Sequence, residues 1–463
     1  IEPDFALKEM ADRVVPDLGV LKAYAPAAIQ GRRLEFVNGM SANERFGCLG
    51  NFERMKFTGQ DPVGEPGIWL SSVVNNRADR VARSRVFASI LVNDISTDRH
   101  FLIGTNLDGL LNNIQEDWAS HAESLTLWPP SGESRPSERL EQAARRMRIP
   151  CSETHLDGRL AAMLQGLDID YDPATLGRLR SSPEQLGTVL ESHQADARLD
   201  DILDHLGQLT GAFQEYRALA ERVDAAGQSV DPALAADFRQ QMRVWFDRKL
   251  IVIEDPHTTG NQIIARITRE TPPGLHNRIM GMQNIKGTGL DFVYRWQAWE
   301  TCYRACQDLH SRDPAVAERG LRALSTFQEY GVLCDEYVRS TVEEVRHSQM
   351  AQCELFQGEL TGILSNLDTA MQALTAELHR SGGNSLIDRL LEHVEAFLDA
   401  GDAIKRRKQA NRIYRDLAAE RISHERAALE LQSLTRRQKG GWLQQRLREM
   451  LVPLPFRYRS RED

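Results

Sequence analysis

Cysteine is scarce, long apolar runs are missing, and neither sign of charge dominates. Six cysteines spread without regular spacing over 463 residues exclude a disulfide framework and point to a reducing compartment. Cys302 and Cys306 stand four apart on an expected helix, but no second pair accompanies them, so no metal ligand is assigned. No apolar stretch approaches the roughly 20 residues that span a bilayer, and no leader pattern opens the chain. There is no fixed-period repeat. The formal charge of −9 is mild and gives no reason to expect a nucleic-acid partner. Missing too is any G-x-x-x-x-G-K-[ST] loop, the usual backbone cradle for nucleotide phosphates. Lys286-Gly287-Thr288-Gly289 does not qualify, because its Lys precedes the glycines and no strand is expected to lead into it.

What is present is ordinary globular material, 41% hydrophobic and 27% charged. The length predicts two or three domains. Charge is unevenly placed. Gly401–Asp463 holds 16 Lys/Arg against 8 Asp/Glu, a balance of +8 that leaves −17 for the rest. Such a stretch suits an anionic lipid surface or an acidic polymer, and equally a solvated helical face. The chain opens on Ile1 rather than Met, which leaves a fragment, a processed product or part of a longer protein all open.

The first 130 residues alternate strand and helix. Arg33–Asn38, Ile68–Val74, His100–Ile103 and Ser124–Trp128 read as strands, with helices expected over 46–57, 78–95 and 107–121. This pattern predicts an α/β domain over residues 31–130, with a parallel, Rossmann-like sheet whose ligands sit beyond the strands' carboxyl ends. A Pro/Ser/Gly-rich linker, 129–137, follows. Beyond it apolar residues recur at helical spacing, as in Ile202, Leu206 and Leu209, or Leu360, Ile363, Leu364 and Leu367. Residues 131–463 are therefore expected to be an all-α extension with breaks at Gly382-Gly383 and Gly440-Gly441. Leu250–Ile253 reads either as a strand or as the end of a helix from Pro232.

Three segments carry a family signal. They are Val15-Pro16-Asp17-Leu18-Gly19-Val20-Leu21, the run Phe36-Val37-Asn38-Gly39-Met40-Ser41-Ala42-Asn43-Glu44, and Asn75-Asn76-Arg77-Ala78-Asp79-Arg80 with Arg83-Ser84. In order and approximate spacing they resemble P-D-P-G-V-L, F-x-N-A-F-A-A-N-D and N-x-R-x-D-R-x-x-R-T of the ligase subunit of poly-γ-glutamate synthases, the Mur-ligase-like capsule enzymes. Residues 1–30 are then similar to the end of that family's central domain with its connector, and 31–130 to its third domain. There is a departure. Glu44-Arg45-Phe46-Gly47-Cys48 stands where the family has an Asp followed by P-x-S-T, and Asp61-Pro62 nearby does not align by spacing.

The resemblance implies an ATP-dependent acid–amino-acid ligase working through an acyl phosphate, with ATP and Mg2+ as cofactors. With no phosphate loop in these residues, the resemblance implies that the ATPase domain would precede Ile1 or lie on another chain. An arginine at a strand end suits the work, since its fork pairs bidentately with carboxylate or phosphate. Nucleotide or substrate binding is thus expected at Asn76, Arg77, Asp79 and Arg80, at Asn38, Asn43 and Glu44, and at Gly104, Thr105 and Asn106. Catalytic residues are not assigned. Plain structural alternatives stand beside each: an ion pair in a first helical turn for Asp79 and Arg80, helix caps for Asn43 and Glu44, a tight turn for Gly104–Asn106. Asn284–Trp299 reads as a helix–helix turn with Phe292, Tyr294, Trp296 and Trp299 in packing roles, or as a ligand-lined break. Asp255-Pro256-His257 is a polar turn, and Glu344 with His347 a lone E-x-x-H. Implied partners are an acidic amino acid or its polymer, other subunits docking on the helical extension, and a membrane surface met by the basic carboxy-terminal stretch. The expected location is cytoplasmic, at the inner face of the membrane. The rival reading is a non-catalytic helical scaffold that retains a remnant ligase domain.

Overall fold

The computed structural model describes residues 19–129, 134–181, 196–348 and 354–379, within the compact unit Ile1–Ser381. Most of the Val15–Leu21 segment, both glycine-pair breaks and the basic Gly401–Asp463 stretch lie outside the described residues.

One seven-stranded sheet organises the unit. Its strands are β1 (Lys22–Ala23), β2 (Ala27–Ile29), β3 (Arg32–Asn38), β4 (Ile68–Asn76), β5 (Arg99–Gly104), β6 (Leu250–Val252) and β7 (His276–Met282). They lie in the order β1-β3-β7-β4-β5-β6, with β2 also on β3. The two short strands run antiparallel to β3, and every other pairing is parallel. Before β6 come α1 (Arg45–Arg54), α2 (Val81–Asn93), α3 (Leu107–Ser124), α4 (Pro136–Arg146), α5 (Glu153–Gly166), α6 (Leu176–Ser181), α7 (Asp196–Ala226) and α8 (Pro232–Asp247). After it come α9 (Gly260–Glu270), α10 (Thr288–Leu309), α11 (Pro314–Ser325), α12 (Asp335–Arg346) and α13 (Glu354–His379).

The α/β class with a largely helical remainder is observed, but the boundary at residue 130 cuts through the sheet. β7 lies between β3 and β4 and bonds to both, so the expectation of a sheet-free region beyond the linker is corrected. The physical reason is burial. A parallel strand covered on both faces needs an apolar run rather than clean alternation, and His276–Met282 (HNRIMGM) is short enough to pass for a piece of helix. Ser124–Trp128 is not a strand either. α3 runs through Ser124, and the Trp128 indole donates to the Gly227 carbonyl at 3.1 Å. The free edge of β5 is taken instead by β6, which settles Leu250–Val252 as strand. No helix among the described residues is long and apolar enough to cross a membrane.

Strand periodicity divides the core into two layers. Val37, Leu70, Val74, Leu102, Met280 and Met282 face α1–α4, α7 and α8. Leu34, Phe36, Val73, Phe101, Ile103 and Ile279 face α9–α13. In the second layer Phe36 meets Phe292 edge-on at 4.9 Å and Trp296 at 5.5 Å. Trp299 is buried there too, its indole donating to the Ala25 carbonyl at 2.7 Å. The packing roles expected of α10 hold for these three rings. Tyr294 differs, being 42% exposed.

A fragment ending near residue 170 keeps β3, β4 and β5 but loses β7, leaving two inner strand edges open. It is expected to lack a cooperative unfolding transition in urea and a structured near-ultraviolet circular dichroism spectrum. A sharp transition like that of the full chain would mean that β3 and β4 can pair directly.

Candidate functional site

β3, β4 and β5 each lead into a helix of the first layer, α1, α2 and α3, whereas β7 leads into α10 of the second. Neighbouring strands whose connections leave to opposite faces open a crevice at their carboxyl ends, where such sheets hold ligands. β7 is flanked by that arrangement on both sides.

Beside β4 the crevice is lined by amide side chains, all buried. Asn75 Nδ2 donates to the Asn284 and Lys286 carbonyls at 2.7 Å each, and Asn284 Nδ2 returns a bond to the Asn75 carbonyl at 3.1 Å. Gln283 Nε2 donates to Asn76 Oδ1 at 2.8 Å, while Asn76 Nδ2 donates to the Thr105 and Asn106 carbonyls at 2.9 Å. Three strand ends, of β4, β5 and β7, are thereby tied to one another. Two acceptors in this lattice, Asn75 Oδ1 and Gln283 Oε1, are buried without a donor. Gln283 holds φ at +79°, a conformation costly for a side chain and tolerated where the surroundings over-determine it.

Arginines border the lattice. Arg77 Nη2 lies 2.9 Å from Asp79 Oδ2, and Arg80 Nε 3.7 Å from the same oxygen. Arg83, on the first turn of α2, donates to Asn284 Oδ1 and to the Gln283 carbonyl. Burial first, then the nearby Arg80 and Arg77, holds its guanidinium below its ordinary range, against the pull of Asp79. Arg77, Arg80 and Arg83 thus gather beside Asp79 at this edge, an arrangement suited to an anion.

The sequence-predicted residues fall in two places on this edge. Asn76, Arg77, Asp79, Arg80, Gly104, Thr105 and Asn106 come together at the ends of β4 and β5: Thr105 N donates to the Asn76 carbonyl at 3.1 Å and Thr105 Oγ1 accepts from Ala78 N at 3.0 Å. Asn38, Asn43 and Glu44 lie across β7. Asn38 is level with Gly281, itself level with Val73, two strands over and three residues below Asn76, or about 14 Å away from strand spacing and rise. The Asn38 side chain accepts from Met40 N at 3.3 Å. Asn43 is exposed, and Glu44 occupies the N-cap of α1 without a side-chain cap bond. Asn106 caps α3 in a left-handed conformation.

Asn75 and Arg83 were visible within the Asn75–Ser84 segment without being given a role. Gln283, Asn284 and Lys286 escaped because the strand before them was not recognised. Reading HNRIMGM as a strand would have placed the glycine-bearing Asn284–Gly289 stretch at a strand end. That expectation is corrected: a strand does lead into Lys286-Gly287-Thr288-Gly289.

A doubly covered parallel sheet with an anion-suited crevice at its carboxyl edge is the architecture so defined. Residues 24–166 match the family model described as the poly-gamma-glutamate synthase CapB C-terminal domain. That stretch is similar to the C-terminal domain of poly-gamma-glutamate synthases, in agreement with the resemblance of its motifs. The match stops short of β6 and β7. No curated protein and no solved structure matches the chain.

Two glycines separate packing from mere backbone freedom. A Cβ on Gly104 (φ +98°) would sit 2.2 Å from the Asn76 carbonyl oxygen, whereas one on Gly287 (φ +66°) would meet open space. Gly104→Ala is therefore expected to cost more than about 3 kcal/mol, and Gly287→Ala, strained by its backbone angles alone (φ +66°, ψ −133°), less, about 1–3 kcal/mol. Urea unfolding of the two variants checks this, and equal costs would contradict the close approach at Gly104.

Proposed function

We propose that this sheet, with its carboxyl-edge crevice, serves as the substrate-holding domain of an ATP-dependent acid–amino-acid ligase of the poly-γ-glutamate type. The observation that carries the reading is the gathering of Arg77, Arg80 and Arg83 beside Asp79, next to the donor-less acceptors of Asn75 and Gln283. The arginine forks would take the carboxylate of an incoming acidic amino acid, or a phosphate. The amide oxygens would accept from its α-ammonium group once it is desolvated. An amino acid so fixed presents its nitrogen, after loss of a proton, to an acyl carbon positioned by the rest of the ligase.

ATP, when bound, supplies the phosphoryl group that converts the acceptor carboxylate into an acyl phosphate. The arginines fit its phosphates. They offer nothing to Mg2+, and among the described residues no three potential metal-ligating side chains gather, so no step is assigned to the metal. The phosphate loop absent from these residues would come from a separate ATPase domain. ATP use and the sparse cysteines support a cytoplasmic setting. The basic Gly401–Asp463 stretch suits contact with the inner membrane face, and the exposed helical faces suit partner subunits. One observation favours the scaffold reading instead: the amide side chains already use most of their hydrogen bonds within the protein.

Arg77→Ala in the complete ligase is expected to lower glutamate-dependent phosphate release with a short poly-γ-glutamate primer. Losing one desolvated charge-assisted contact costs about 2–5 kcal/mol, on the order of a 30- to 4,000-fold loss. The melting temperature should change little, since Arg77 is partly solvent-exposed. Unchanged turnover in a well-folded variant would transfer the case to the scaffold.

A further inference from the structure

The opposite, amino-terminal edge of the sheet holds a second polar centre that the ligase reading does not use. Asp98, at the turn into β5, is only 4% exposed. Its carboxylate accepts from Leu70 N at 2.8 Å and from Arg148 Nε at 2.7 Å, and Arg159 Nη2 lies 3.8 Å away. Lys249 lines the same cavity as Asp98 and Arg148. Arg148, Arg159 and Lys249 are 7%, 2% and 5% exposed. Three cationic side chains thus stand against one carboxylate, out of water. An uncompensated buried ion costs several kcal/mol, so the cluster is short of negative charge.

The shortage faces a cavity of about 450 Å3, within the roughly 300–1,000 Å3 of small-molecule sites. Trp69, Arg148, Lys249, His205 and Trp245 help to line it, and Met147, Ile149, Pro150 and Leu209 give it an apolar side. The other basic groups of the wall are matched: Arg99 with Glu270 at 3.4 Å and Arg248 with Glu215 at 2.7 Å. Among the described residues no hydrogen bond or ion pair holds the Lys249 ammonium. Arg148 Nη2 and Trp69 Nε1 are buried without an acceptor. These three groups of the cavity wall are donors. Burial, then Arg148, Arg99 and Arg146, pushes the Lys249 amine down to about 7, against the pull of Asp98.

We propose that this cavity binds a small organic anion, a carboxylate or phosphate on an apolar body, whose charged end meets Lys249, Arg148 and the Trp69 indole N–H. The site is separate from the carboxyl-edge crevice. Trp69 and Asn76 sit seven residues apart on β4, roughly 23 Å at strand rise. It does not depend on the ligase reading. Lys249 comes from outside the family-matched residues 24–166, whereas Trp69, Asp98 and Arg148 come from within them, so the later segment completes the site.

Calorimetric titration of the full chain with sodium phosphate and, separately, sodium glutarate tests this, on the acid side of neutrality where Lys249 carries its proton. Saturable binding of at least one is expected, and which one binds tells phosphate from carboxylate. Lys249→Met should weaken it by at least about tenfold while the melting temperature of the free protein holds or rises, because a buried charge has gone. Trp69→Phe, which removes the indole donor alone, should weaken it less. Arg77→Ala, which removes an arginine of the carboxyl-edge crevice, should leave the Lys249-dependent part of the binding unchanged. Three results would each overturn the proposal: no saturable binding of either anion, full binding by a folded Lys249→Met variant, or loss of the Lys249-dependent binding in Arg77→Ala.

Discussion

β3 and β4 follow one another along the chain with a single helix between them, yet they never pair. His276–Met282 lies between them with parallel hydrogen bonds to each. A strand at that place must be apolar toward both layers and slim where the layers press closest. Met280 and Met282 turn to one side and Ile279 to the other. Gly281 takes the tight spot, where a Cβ would come within 2.9 Å of the Phe36 ring and the Met40 side chain. The two layers, the crevice and the junction of early and late segments all depend on that insertion.

Its consequence for the carboxyl edge is chemical. Without β7 the ends of β4 and β5 would carry Asn76, Arg77, Thr105 and Asn106 alone. With it, Gln283 and Asn284 enter, satisfy part of Asn75 and Asn76, and hold Arg83 against the lattice. Buried amides tied to main chain are stiff, and stiffness is what a group that must meet a ligand in one geometry requires. The amino edge differs in what it leaves unsatisfied. There the cavity wall carries donors, Trp69 Nε1 and Arg148 Nη2, without acceptors.

The strands Arg33–Asn38, Ile68–Val74 and His100–Ile103 and the three helices between and after them were legible because each joins an apolar run to a clear breaker. Ser124–Trp128 misled because a Leu/Trp alternation at the end of a helix looks like a strand when no neighbour is in view. In the fold Leu127 is buried against the helical layer. The strand-end residues from Asn76 to Arg80 and from Gly104 to Asn106 were legible for a related reason, since polar residues directly after an apolar strand fall at its carboxyl end. Asn38, Asn43 and Glu44 shared that signal but not the place, because a strand nearly 240 residues later separates them from the rest.

By itself the sequence determined the α/β character of the first 130 residues, the predominantly helical remainder and the family relation of the strand-end motifs. These rest on local periodicity and on residues close in the chain, which is information that one segment carries alone. Only the tertiary structure decided which strand lies beside which, that Lys249 lines one cavity with Asp98 and Arg148, and that Gln283 and Asn284 join Asn75 and Asn76. Those contacts are fixed by two-sided burial across long separations, where many short apolar segments would serve equally well until the packing of both layers selects one.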